Sequence, residues 1–553
     1  MVTADTSSPA RSQPPQPDVD RTHGRPRLLI LLRAATAAAS GLAQLLALPP
    51  YELWALAPFS AALLAGAVAG TRLRRAAWLG LLSGAALMFP LVVWQDVFGV
   101  DVWLVIAAAE TLYYIPMAMG IALVMRLPGW VAWVPALWVA QEFVRARFPL
   151  GGFPWGKLAF SQPETPFTGY AAWGSSPLVT FMVALTGTVL LWGATRLRSP
   201  HRPGGARAVA LPASVAVAGV VAILAVGTVA PRVAAPTPDH QVTVALVQGD
   251  VPRVAQMSIL GRRMQVLRNH VDGVHELARQ VRAGQVEQPD LVILPENSSD
   301  IDAYAEPRAA EMIQQAAEDI DAPLLFGIGR YSQDGATRQI RSVVWTPQEG
   351  PTDYYVKRYL VPFGEYIPFR ELATSVVSRL EQIGSDAVPG TEPGALPMGE
   401  TTVATAICFD VAFDRPLRES VVEGGQILAV PTNNANYNFT GQPEQQLAIT
   451  RLRAVEHGRP AVVAATSGLS AIVRPDGSVT YRSPEAEPAV HVATVTAMSG
   501  LTPATRLGSV PEVLLTLIAA GAVVAAGVGE RRSPRAAGPP PSAPDTSTAP
   551  PHS

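Results

Sequence analysis

"VATAICFDVAFD", residues 403–414, holds the only cysteine of a 553-residue chain, at the end of an apolar run and two positions before a carboxylate. A single thiol forms no intramolecular disulfide and supplies too few ligands for a cysteine-based metal site, so no metal is expected. Cys408 is therefore either a buried hydrophobe, the usual fate of a free cysteine, or a nucleophile. Lysine is almost as rare: the 42 basic residues include lysine only at Lys157 and Lys357, the rest being arginine. An ammonium is a compact charge whose pKa moves readily, unlike the fixed planar guanidinium, so both lysines are candidates for an amine-specific role.

Around the 403–414 run, residues 240–500 read as alternating strands and helices. "QVTVALVQ" (241–248), "DLVILPE" (290–296), "APLLFGIGR" (322–330), "TTVATAICFD" (401–410), "QILAVPTN" (426–433) and "RPAVVAATSG" (459–468) are expected strands. Amphipathic stretches at 261–284 and 443–458 are expected helices, and such alternation predicts layered α/β packing around a buried sheet. Functional groups in such folds gather where strands end. Glu296 ends one strand, Cys408 another, and Lys357 lies in "DYYVKRYLVPFGEYIPF". A carboxylate poised by burial takes the thiol proton and an ammonium stabilises thiolate and oxyanion, so the three types together fit nucleophilic chemistry.

The rest of the chain has a different solvent in view. Apolar residues make up 49% and charged residues only 16%. A membrane helix needs about 20 mostly apolar residues, and eight stretches qualify, near 28–48, 53–70, 76–98, 103–125, 129–146, 175–196, 208–230 and 509–528. Arg-rich segments precede the first and follow the second, fourth, sixth and eighth, which puts both termini inside and residues 240–500 outside, with Arg145 and Arg147 as exceptions. The expected layout is a disordered tail (1–26), seven spans (27–232), the external domain (240–500), an eighth span (507–530) and a second tail (531–553). A net charge of −2 without a basic face argues against a nucleic-acid partner.

The order Glu296, Lys357, Cys408 in the contexts "LPEN", "KRYLVPFGEYIP" and "ICFD" resembles the nitrilase superfamily of carbon–nitrogen hydrolases. "ALVQGDVP" after the seventh span, "GFPWGKLAFSQ" (152–162) and the eight-span layout resemble its membrane branch, the apolipoprotein N-acyltransferases. The resemblance implies an α-β-β-α sandwich, no cofactor, and a Glu-Lys-Cys triad in a multi-pass enzyme of the bacterial cell membrane. It implies transfer of an acyl chain from a membrane phospholipid, through a thioester, to the α-amino group of a diacylglyceryl-modified apolipoprotein. Carried over, Cys408 is the nucleophile, Glu296 the base and Lys357 an oxyanion holder, with Glu365, the Phe409 N–H and Asp410 in support.

Phe153, Trp155 and Lys157 are expected at the substrate entrance, Lys157 meeting a phosphate or simply anchoring at the interface. The chain departs from the family pattern with Phe409–Asp410 for Tyr–Glu, Met257 for Trp, and Asn433, Asn434, Ala435, Asn436, Tyr437 for Asn-Asp-x-Trp-Phe, so Met257, Asn434 and Tyr437 join the expected entrance. A membrane-bound amidohydrolase and a non-catalytic scaffold are the alternatives.

Overall fold

Two sheets face each other, and the chemistry sits at the strand ends between them. In a computed structural model, which describes residues 24–197, 205–251, 264–376 and 384–532, helices come first: α1 Gly24–Ala47, α2 Ala57–Val68, α3 Leu73–Leu91, α4 Val100–Leu112, α5 Tyr114–Val124, α6 Trp130–Arg145, α7 Ala171–Leu197 and α8 Gly205–Ala234. An α/β segment follows with β1 Thr237–Gln248, α9 Gln265–Arg282, β2 Leu291–Ile293, α10 Pro307–Ile320, β3 Leu324–Tyr331, β4 Thr337–Thr346, β5 Gly350–Val356, α11 Arg370–Val376, β6 Asp386–Ala387, β7 Ala395–Met398 and β8 Thr401–Thr405. It continues with α12 Arg415–Val422, β9 Ile427–Thr432, α13 Gln442–His457, β10 Ala461–Ala465, β11 Ala471–Val473, β12 Val479–Arg482, β13 Ala489–Ser499, α14 Pro503–Leu507 and α15 Val510–Arg532. Most of the two expected tails, and Met257, lie outside the described residues.

One sheet runs β13-β1-β2-β3-β4-β5, with β6 beside β4, and the other runs β12-β11-β10-β9-β8-β7. Each has a parallel centre, β1-β2-β3 and β8-β9-β10, and antiparallel flanks, except that the short β6 pairs parallel with β4. Parallel central strands are buried on both faces, which is why they read as unbroken apolar runs. Val244, Leu246, Leu291, Ile293, Val403, Ile427 and Val462 fill the space between the sheets. On the far side of the first sheet, α9 buries Leu267, Val271, Val274 and Ala278, a helical-period stripe, against Ala245 and Val247. Residues of the second sheet, Ala404, Leu428 and Val463, share a single core with Leu417 of α12, Leu452 of α13 and the helices of residues 24–197. The order of layers is helix, sheet, sheet, helix, then the apolar bundle.

Helices occupy all eight apolar stretches, but five are long and apolar enough to cross a membrane: Arg27–Ala47, Val100–Val124, Thr168–Leu197, Leu211–Pro231 and Val510–Gly529. The stretch 53–70 yields only the shorter Trp54–Val68. In the stretch 76–98 the helix α3 begins on the charged pair Arg74 and Arg75, ends at Leu91 and gives way to a 3-10 turn, Val93–Phe98. The stretch 129–146 forms a 16-residue helix, α6, with Glu142 and Arg145 in its last turns. The two arginines that broke the charge pattern each have a carboxylate partner, Arg145 in the interior and Arg147 at the surface. Arg145 is buried against Glu110 (3.3 Å) and the carbonyls of Phe153 (3.1 Å) and Trp155 (2.5 Å), and Arg147 pairs with Glu512 at 2.6 Å.

Candidate active site

β8 delivers Cys408. Past its end the chain turns sharply into a 3-10 turn, Cys408–Ala412, with Cys408 itself at φ +50°, a left-handed conformation that costs a side-chain-bearing residue of order 1 kcal/mol or more. What holds that turn is Asp410. Its carboxylate accepts the N–H of Ile407 (3.2 Å) on one side of the thiol, and the Tyr355 hydroxyl (2.8 Å) and Tyr359 N–H (2.7 Å) from the segment that carries Lys357. One buried carboxylate thus fixes thiol and ammonium against each other, across about fifty residues of chain. Burial lifts the Asp410 carboxyl to about 6, although Lys357 and these hydrogen bonds oppose the shift. The folded state therefore holds this proton more tightly than the unfolded one, and the contribution to stability falls as pH rises from 3.8 to about 6.

Lys357, one residue beyond β5, donates to Glu296 Oε1 at 2.9 Å and to Glu365 Oε1 at 2.5 Å. Glu296, three residues beyond β2, accepts the Asn433 N–H on its other oxygen at 3.0 Å and is hydrogen-bonded by the Cys408 thiol. Glu365 is steadied in turn by the Val361 N–H at 2.9 Å. Burial works against the Lys357 ammonium, but the Glu296 and Glu365 carboxylates outweigh it and hold its pKa well above the ordinary lysine value. Burial raises the Glu296 carboxyl, with Lys357 pulling back. The Cys408 thiol is pushed up to about 12 by burial and by the charge on Glu296, so it rests as S–H.

These groups open into a cavity of about 320 Å³, whose wall includes Phe98, Val361, Asn436 and Tyr437. Tyr437 packs edge-on against Trp94 (5.3 Å) and Phe98 (6.1 Å), so the turn Val93–Phe98 of the helical bundle closes one side of the cavity. Other expected entrance residues lie elsewhere. Phe153 and Trp155 stack on Phe409 at 5.8 and 6.1 Å, behind the nucleophile turn, and Trp155 donates its indole N–H to Gln445 of α13 at 2.7 Å. Asn434 is buried beside Gly468 and does not line the cavity. Lys157 lies 3.8 Å from Asp414 in a second cavity. Asp410 is expected as a supporting residue, from its nearness to the cysteine and its place where the family has Glu, whereas the roles of Tyr355 and the Asn433 N–H leave no sequence signal. Among the described residues no three His, Cys, Asp or Glu side chains gather as a metal site.

Two variants test how this geometry is held. Gly327 of β3 runs so close to the Glu296 segment that an added Cβ would lie 2.1 Å from the Pro295 carbonyl oxygen and 2.8 Å from the Glu296 Cα. Gly327→Ala forces that backbone aside, and we expect it to lower kcat by about 10²-fold and stability by about 1–3 kcal/mol. Asp410→Asn presents an amide N–H₂ to one of the N–H groups now accepted. The expected result is a kcat about 10–10²-fold lower with KM little changed, because Asp410 does not line the cavity. A large rise in KM with kcat intact would place Asp410 in binding instead.

Fold and site define a class, a carbon–nitrogen hydrolase domain joined to a helical membrane domain. Residues 243–503 match the carbon-nitrogen hydrolase family, and residues 40–189 match the apolipoprotein N-acyltransferase N-terminal domain. An apolipoprotein N-acyltransferase of Mycolicibacterium smegmatis is 38% identical, covering 89% of this chain and 84% of that protein, and one of Chromobacterium violaceum is 29% identical, covering 88% and 92%. Among solved structures, an amidase from Nesterenkonia sp. shows 18% identity and a TM-score of 0.33, covering 48% of this chain and 92% of its own. The chain belongs to the apolipoprotein N-acyltransferase family, and it is an acyltransferase of the carbon–nitrogen hydrolase superfamily.

Proposed function

We propose that Cys408 carries the acyl group between two substrates, a membrane phospholipid and the α-amino group of a diacylglyceryl-modified apolipoprotein. The observation that carries this reading is the buried contact of thiol, Glu296 and Lys357 at the floor of a cavity walled on one side by the membrane domain. In the first half-reaction the thiol proton passes to Glu296 as sulfur attacks the ester carbonyl carbon. The C–S bond forms, and the oxyanion is met by Lys357 and the Phe409 N–H. Collapse breaks the ester C–O bond, the leaving alkoxide takes the proton from Glu296, and lysophospholipid departs. In the second, the amine attacks the thioester and gives a proton to Glu296. The C–N bond forms, the C–S bond breaks, and the thiolate recovers its proton.

With the thiol pushed up to about 12, a free thiolate is scarce at neutral pH, so proton transfer and attack are coupled. Glu365, on the other face of Lys357, aims the ammonium. Phe98, Val361 and Tyr437 supply apolar wall for an acyl chain entering from the bilayer. The reading includes eight membrane crossings, the three shorter helices packed among the five long ones, with both termini cytoplasmic and residues 240–500 facing outward from the cell membrane.

The test is a two-step trap. Incubation with phospholipid is expected to leave an acyl adduct on Cys408 that hydroxylamine removes, seen by mass spectrometry. Addition of a diacylglyceryl peptide with a free amino terminus is expected to convert it to an N-acyl amide. Release of free fatty acid alone, with no acylated peptide, would replace the transferase by an amidohydrolase, and an unacylated, fully functional Cys408→Ala protein by a scaffold.

A further inference from the structure

A second cavity, of about 390 Å³, lies where the catalytic domain meets the helical bundle and shares no lining residue with the thiol cavity. Its wall on the thiol side is the Tyr359–Phe413 pair, stacked at 3.8 Å, with Phe413 edge-on to Phe409. The mechanism uses nothing in it. Yet it collects charge from three separate parts of the chain: Arg147 at the end of α6, Lys157 of the following loop, and Arg415 and Arg418 of α12.

The charges do not balance. Asp414 is taken up by Arg453 (2.5 Å) and more loosely by Lys157 (3.8 Å), Glu456 by the same Arg453 (2.5 Å), Glu419 by Arg358 (2.7 Å) and Arg415 (2.6 Å), and Glu512 by Arg147 (2.6 Å). Arg418 is left without an ion pair among the described residues, and donates only to the carbonyls of Thr505 (2.8 Å) and Arg506 (3.5 Å). Of the four cations of this cluster, Arg418 is the one with no carboxylate partner among the described residues. Gly508, at φ +56°, lets the chain lie flat on the Arg418 guanidinium, because a Cβ there would come within 2.6 Å of its Nε. A planar cation held against glycine backbone, in a cavity that Lys157 also lines, suits an oxyanion with several acceptors.

Exposed apolar residues adjoin the lining residues in sequence. Phe148 and Leu150 follow Arg147, and Leu507 and Val510 flank Gly508 and Ser509, each of these four between 46% and 64% exposed. Val510 opens α15, one of the helices able to cross a membrane. An anion site with such neighbours lies at the boundary between headgroups and acyl chains.

We propose that this cavity binds a phosphate group, as carried by the headgroup of a phospholipid distinct from the one at the thiol, and that the lipid ties the catalytic domain to the bundle. The full-length protein in neutral detergent, examined by native mass spectrometry, tests it with three probes: phosphatidylglycerol, diacylglycerol and sn-glycerol 3-phosphate. Phosphatidylglycerol is expected to be retained at one molecule more than diacylglycerol. Arg418→Gln and Ser509→Glu, the latter an exposed position where a carboxylate repels the ligand without disturbing the core, are each expected to weaken that extra molecule about tenfold, Ser509→Glu with unchanged thermal unfolding, whereas Ser509→Ala is neutral. Competition by sn-glycerol 3-phosphate at similar affinity supports the phosphate site and assigns it to soluble esters. Equal retention of diacylglycerol, or full retention in both variants, overturns the proposal.

Discussion

Cys408→Ala is expected to abolish acyl transfer, lowering kcat by at least about 10⁴-fold while phospholipid still binds. No other thiol of the chain can take over the covalent step, since Cys408 is its only cysteine. The change should be well tolerated by the fold. Cys408 lies in the core between the sheets but at its edge, 8% exposed, so losing one sulfur leaves a small defect that opens into the cavity. Purified variant protein with an unchanged thermal midpoint and no hydroxylamine-sensitive adduct is the expected pair of observations. Retention of transfer above about one part in 10³ would show that acyl transfer does not pass through sulfur.

Glu296→Gln is expected to cost nearly as much, about 10³–10⁴-fold in kcat, because the amide cannot receive the thiol proton. Lys357 keeps Glu365 as its partner, so the ammonium remains charged and the site remains folded. The pH dependence of the wild type follows from the same group. Glu296 must be ionised to act, and burial raises its carboxyl, so the rate of Cys408 acylation falls on acidification from a point above the ordinary 4.5. With the thiol pushed up to about 12, no further rise is expected as pH passes through the usual thiol range near 9. Stopped-flow or quench measurement of the acylation rate checks both limbs. A rate that climbs tenfold per pH unit between 7 and 9 would mean that free thiolate, formed without Glu296, is the attacking species.

Much of the sandwich was legible because its centre is parallel. Strands buried on both faces need apolar residues at every position, so β2, β8, β9 and β10 stand within runs such as "QILAVPTN", whereas β3 overruns its run by one residue and β1 begins four residues before "QVTVALVQ", where it is mostly exposed. The flanking strands were not legible. β4, "TRQIRSVVWT", and β12, "VTYR", are only partly buried, and their polar positions hide them from a search for apolar runs. In the membrane part, composition located eight helices but not which of them are long enough to cross, since Arg74, Arg75 and the turn at Val93–Phe98 shorten one that reads as continuous.

What the sequence offered by itself was the set of candidate reacting groups: one thiol, and one of only two ammoniums, at strand-end positions with a carboxylate. Their rarity made them visible. The tertiary structure alone decided what surrounds them. Phe153 and Trp155 became support behind Phe409, and Lys157 became part of a second charged cavity, because each is placed by contacts with segments more than two hundred residues away. Asp410, two residues from the thiol, is the clearest case. Adjacency suggests a partner for Cys408, but the left-handed turn at Cys408 directs its carboxylate to Tyr355 and Tyr359, where it joins nucleophile and ammonium. Sequence neighbours share a backbone, and the direction of a side chain is set by the fold.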